Sequence, residues 1–155
     1  FLKVCEKMDR RKFLRQGCIF CVGATVLPMM LESCQATHYV DGTIAPNGLE
    51  VAMAEFTFVK KGKTEMRQYI IVQNDKLEFP IYLYRISENE YSALWMKCSH
   101  QGAELQAVGD RLQCPSHGSE FTNKGIVNHG PAEKNLRSFP TSISNDKIVI
   151  DLRLS

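Results

Sequence analysis

Cys98-Ser99-His100-Gln101-Gly102 and Cys114-Pro115-Ser116-His117-Gly118-Ser119 are the two stretches on which the reading of this chain turns. Each offers one thiolate and one imidazole from a single short loop. Two such loops side by side therefore present two sulfurs and two ring nitrogens. Zinc sites usually pair Cys with Cys and His with His, each within its own half, whereas here each half is mixed. The flanking Gly102, Pro115, Gly118 and Ser119 are turn residues. Glycine lets backbone come close to an inorganic anion, and successive N–H groups in such turns form an anion-binding nest.

The mixture has a chemical rationale. An iron-sulfur pair held by four thiolates is negative even when oxidised, so a further electron is repelled. Exchanging two thiolates for neutral imidazoles removes that charge, and such 2Fe-2S centres lie at about −150 to +300 mV, against about −400 mV for plant-type ferredoxins. The residues resemble the cluster-binding subdomain of the Rieske family, and the likeness continues through Phe121, Gly125, Val127 and Gly130-Pro131-Ala132, the last three resembling the family's proline loop. It covers roughly Leu94 to Leu152. The resemblance implies one Rieske 2Fe-2S cluster per chain, with Cys98 and Cys114 on the inner iron and His100 and His117 on the outer, exposed one. Gln101, Gly102, Ser116, Gly118, Ser119, Phe121, Gly130 and Pro131 would surround it. A zinc-stabilised Cys2His2 binding module remains the alternative use of the same four ligands.

Two departures from the cytochrome bc type of the family carry information. The cysteine pair that joins the two loops in those proteins is replaced by Ala103 and Ser116, so turn hydrogen bonds and packing must hold the loops. Ser119 matches a serine that donates to a bridging sulfide, while a tyrosine that donates to a ligand thiolate is Phe121 here. Donors to sulfur favour the reduced cluster. One kept and one lost places the expected midpoint at about +50 to +200 mV, inside the range for mixed ligation.

The front of the chain is of another kind. Residues 1–33 hold 6 Lys or Arg and 3 Asp or Glu, and the remainder 13 and 14, so the net charge of +2 belongs to the leader and no nucleic-acid surface is indicated. Met8-Asp9-Arg10-Arg11-Lys12-Phe13-Leu14 followed by the apolar run Gly17 to Leu31 resembles a twin-arginine export signal. Residues 1–7 then lie upstream of a start at Met8. Leu31-Glu32-Ser33-Cys34 resembles a lipoprotein cleavage site, with Cys34 the acylated residue; an uncleaved signal anchor over 8–34 is the competing reading. Either tethers an exported domain to the periplasmic side of a bacterial membrane. Of the six cysteines, Cys5, Cys18 and Cys21 fall in this leader, and none is left for a disulfide.

Residues 35–50, with Gly42, Pro46, Asn47 and Gly48, read as a linker, and 51–155 as the Rieske domain. His38 reads as a solvated linker residue. The domain's pattern is all-β: Val51–Val59, Met66–Gln73, Phe79–Ile86, Tyr91–Lys97, Arg111–Cys114 and Lys147–Leu152 are strand-like runs divided by turn residues. The expected fold is an antiparallel β-sandwich or small barrel with an inserted subdomain bearing the two loops. The expected function is electron transfer as a membrane-tethered respiratory component, more a subunit of an oxidoreductase than an enzyme alone. Its partners would be redox proteins, such as a cytochrome b or c or a quinol oxidoreductase. A Rieske ferredoxin serving an oxygenase is the alternative, favoured by the missing loop disulfide and opposed by the export signal.

Overall fold

The computed structural model describes residues 37–153. The extension 1–7, the leader 8–34 and Cys34 lie outside the described residues.

The domain begins earlier than its sequence pattern announces. β1 (Tyr39–Asp41), β2 (Thr43–Ala45) and β3 (Gly48–Ala52) occupy most of the stretch read as a linker, which is corrected accordingly. His38 is correspondingly anchored, its Nε2 lying 3.1 Å from Glu55 Oε2. The run Val51–Val59 is also not one strand. After Ala52 a 3-10 turn, Met53–Phe56, drops Phe56 into the core, and β4 (Thr57–Lys60) then starts a separate hairpin with β5 (Lys63–Met66). β6 (Tyr69–Gln73), β7 (Ile81–Arg85) and β8 (Tyr91–Trp95) fall inside the expected runs. Four short strands follow: β9 (Gln106–Val108), β10 (Arg111–Gln113), β11 (Glu120–Thr122) and β12 (Val127–His129). The chain closes with β13 (Ser138–Phe139), β14 (Thr141–Ser144) and β15 (Lys147–Ile150), the last two joined at Asn145-Asp146.

The central sheet has the order β1-β6-β7-β8-β13 and is covered on both faces. Ile70, Val72, Ile81, Leu83 and Ala93 point one way, onto Leu49, Val51, Ile148 and Ile150 of the β14-β15-β3-β2 sheet, with Phe56 and Phe139 between. Ile71, Tyr82 and Leu94 point the other way, onto Met96, Leu105, Leu112, Phe121 and Leu136, around the β12-β11-β10-β9 sheet. This double burial explains why β6 and β7 read as unbroken apolar runs instead of alternating. Among the described residues every strand pairing but the parallel β1–β6 is antiparallel. The architecture is thus an all-β sandwich with a second small sheet inserted between β8 and β13. The two Cys-His loops belong to that insertion.

Candidate metal centre

The loops are built alike. In the first, Cys98 N–H donates to Ala103 O (2.8 Å) and Gly102 N–H to Cys98 O (2.8 Å); in the second, Cys114 N–H donates to Ser119 O (2.8 Å) and Gly118 N–H to Cys114 O (3.0 Å). Each turn closes on a glycine in the left-handed region, Gly102 at φ 75° and Gly118 at φ 77°, a conformation that glycine reaches without the Cβ penalty. Short ladders flank each turn. Lys97 bridges to Glu104 around the first, and Gln113 pairs with Glu120 around the second.

The result separates sulfur from nitrogen. Cys98 and Cys114 are each 2% exposed and both thiols are free, whereas His100 is half-buried and His117 exposed. The two imidazole rings meet edge to face, with centroids 5.1 Å apart and planes at 89°. Burial pushes the Cys98 thiol up, and the backbone N–H groups of His100 and Gln101 oppose this only in part. Burial acts on Cys114 too, but there the Ser116 N–H, the Cys98 thiol, the His117 N–H and the Ser116 side chain outweigh it and hold the thiol below its ordinary range. A thiol pair that shares a proton and receives backbone donors is one prepared for negative charge on sulfur.

A third loop joins the first two. Ala132 N–H donates to the fully buried Ser119 Oγ (3.0 Å), and Ser99 Oγ donates to Lys134 O. The loop 130–134 is therefore fastened to both Cys-His loops, to the second at Ala132 and to the first at Lys134. With its oxygen accepting from Ala132, Ser119 keeps its own proton for a further acceptor. Phe121 is fully buried opposite Leu112. Ser99 carried no signal of its own, since its partner lies 35 residues away. His129 is exposed on β12, opposite Glu120.

The donor set fits a two-iron cluster. His100 Nδ1 is buried without a hydrogen-bond partner, a costly state for a ring nitrogen unless something else takes its lone pair. Among the described residues no three His, Cys, Asp or Glu side chains converge on one point. A two-iron cluster asks of the protein a cysteine pair and a histidine pair side by side, which the two loops supply.

Residues 52–140 match the family model described as the Rieske [2Fe-2S] domain. The chain belongs to the Rieske family. As a Rieske domain it carries a 2Fe-2S cluster and serves electron transfer. One curated relative is the oxygenase component of dicamba O-demethylase from Stenotrophomonas maltophilia, 36% identical over 83 residues that make up 47% of this chain and 24% of the relative. Another is the iron-sulfur subunit of the cytochrome b6-f complex from Nostoc punctiforme, 36% identical over 55 residues, 34% of this chain and 31% of that subunit. The chain thus spans about a quarter to a third of the length of these relatives. Among solved structures, a hyperthermophilic respiratory complex III matches with a TM-score of 0.50 over 92% of this chain and 100% of that chain, at 17% identity, a likeness of fold.

Proposed function

We propose that this Rieske domain is an exported, membrane-tethered electron carrier of a respiratory chain, taking electrons from quinol or a periplasmic donor and passing them to a cytochrome-like acceptor. Cys98 and Cys114 would hold the inner iron and His100 and His117 the outer. When bound, the cluster supplies a one-electron couple whose oxidised form draws density from the imidazoles. The observation that carries the reading is the split of the donor set, with thiols buried and imidazoles at the surface. His100 and His117 then present a polar edge through which a partner would exchange the electron. Backbone N–H groups of His100, Gln101, Ser116 and His117 hold the sulfurs' charge. The leader and Ser119 support the respiratory reading, and the cytochrome b6-f relatives agree with it.

A second reading has its own observation. Ala103 and Ser116 rule out the loop disulfide, as in ferredoxins that serve oxygenases, and the dicamba O-demethylase relative belongs to an oxygenase system. Full-length protein from iron-supplemented cells, reduced with dithionite, should give a rhombic EPR signal of low average g, with two irons and two acid-labile sulfides per chain. Film voltammetry should place the midpoint at about +50 to +200 mV, and salt-washed membranes should retain the protein. One zinc per chain with no EPR signal would make the four ligands structural. A negative midpoint together with a soluble fraction would transfer the chain to the ferredoxin reading.

A further inference from the structure

Lys97 stands immediately before the first Cys-His loop, and its side chain lies over that loop. Its backbone bridges to Glu104 across the loop's base. A Cβ added at Gly102, the glycine that closes the turn, would lie 3.3 Å from Lys97 Cε, so the lysine stem fills the space that this glycine leaves. Beyond the stem the ammonium is held from several directions. Lys97 Nζ donates to both carboxylate oxygens of Glu78, each at 3.2 Å, and lies 4.9 Å from the centre of a Trp95 ring and 5.2 Å from that of Phe79. The two aromatic side chains themselves meet edge to face at 5.8 Å, so Nζ sits in a corner of π faces closed by one carboxylate.

The ion pair is unequal. The Lys97 side chain is 33% exposed and that of Glu78 62%, so water screens the carboxylate more fully than the ammonium. Seen from the loop, the pair therefore keeps a positive remainder. As a source of stability an exposed pair of this kind contributes little, and an ammonium is a strongly hydrated group to hold against two rings. The other cations near the loops are placed differently. Arg111 is 53% exposed and lies between two acids, Asp110 at 3.8 Å and Glu120 at 3.7 Å. Lys134, on the third loop, is exposed beside an exposed Glu133. Lys97 combines what these lack, a caged charge and a position next to a cysteine proposed as ligand.

We propose that Lys97 tunes the reduction potential of the centre through its charge, and that Glu78 limits how much of that charge the first loop feels. The proposal rests on the reading of Cys98 and His100 as ligands. A centre that takes up one electron, with no bond made or broken, gains one negative charge, and a half-buried cation beside a ligand loop favours that state. Donors to sulfur act in the same direction from inside the site. The Lys97 device differs in having a counter-ion, so removing the cation and removing the carboxylate must move the potential in opposite directions.

The test is film voltammetry of the full-length, cluster-loaded protein at pH 7 and low salt, with an EPR spectrum of each variant. Lys97→Met, which keeps a stem over Gly102, should lower the midpoint by about 30–60 mV, a threefold to tenfold shift of the one-electron equilibrium. Glu78→Gln should raise it, and Lys97→Arg should keep it close to wild type. Lys63→Gln, which removes a cation outside both cores, should leave it unmoved. A merely structural role would shift Lys97→Met and Glu78→Gln the same way, because either change opens the same corner. That result overturns the proposal, as does an unmoved or raised midpoint in Lys97→Met, or an equal fall in Lys63→Gln. Should Lys97→Met lose its cluster, Glu78→Gln decides alone, and a midpoint that fails to rise is fatal. Wild type without the rhombic signal overturns the ligand reading and this proposal with it, whereas an intact signal with unmoved midpoints removes the role of Lys97 only.

Discussion

Phe121 is the residue at which the proposed cluster site and the packing of this Rieske domain meet. Fully buried against Leu112 in the core beneath the two loops, it occupies the place that, by the resemblance to bc-type proteins, would hold a tyrosine donating to a ligand sulfur. Phe121→Tyr should restore that donor. A hydrogen bond contributing about 1 kcal/mol more to the reduced than to the oxidised state corresponds to about +40 mV for a one-electron couple. The new hydroxyl enters a close-packed core, so a loss of about 1–2 kcal/mol of stability is expected if it finds no acceptor. Film voltammetry and thermal unfolding of the same variant separate these effects. A midpoint unchanged or lowered would mean that position 121 does not address a ligand sulfur. The side-by-side placement of the two Cys-His pairs proposed as ligands was legible because each pair lies within one tight turn, where sequence spacing and spatial spacing coincide. The fastening of the third loop was not: Ser99 reaches Lys134 and Ser119 reaches Ala132, across 35 and 13 residues, with no local pattern to mark either.

At the level of elements, the misread stretches share one cause. β1 and β2 are three residues long, and β1 finds its partner 32 residues on, at Ile71 to Gln73. Strands this short leave no alternation to detect, and Gly42, Pro46 and Gly48 read as punctuation. Val51–Val59 failed for the opposite reason: a good β pattern is overridden because Phe56 gains a buried site in the core only if the chain turns at Met53. Gly48 is the hinge of this region. At φ 139° its added Cβ would sit 2.2 Å from Ile150 O and 2.9 Å from Ile150 C, both backbone atoms of the paired β15 edge. Gly48→Ala should therefore cost about 3 kcal/mol or more. Gly62→Ala, at φ 75° with nothing within 4 Å of the new atom, should cost only about 1 kcal/mol for the left-handed backbone. Denaturant unfolding of the two variants gives the comparison directly. Equal losses would mean that β2–β3 can yield at Gly48 without disturbing β15.

At the scale of the domain, the described residues form two cores that share one sheet, and one of them includes the cysteines proposed as cluster ligands. The core on the β3–β15 side contains no ligand residue, whereas Cys98 and Cys114 are part of the other. That second core is walled by strands of three residues. Its loops are linked through Ser99 and Ser119 by hydrogen bonds worth about 1 kcal/mol each, where a disulfide would contribute about 2–4 kcal/mol. Without the cluster, two buried thiols and His100 Nδ1 are left with little to compensate their desolvation, which favours opening on that side alone. Chelation of the iron should thus leave the amides of Ile70–Val72, Ile81–Leu83 and Ile148–Ile150 protected against hydrogen exchange. Those of Cys98–Ala103 and Cys114–Ser119 should exchange faster by about a hundredfold, or ~2.7 kcal/mol of local stability. The central sheet decides the outcome, because Ile71, Tyr82 and Leu94 lose packing on one face while their backbone bonds remain backed by the intact core on the other. Protection lost together on both sides, at one rate, would mean that the cluster organises the entire domain.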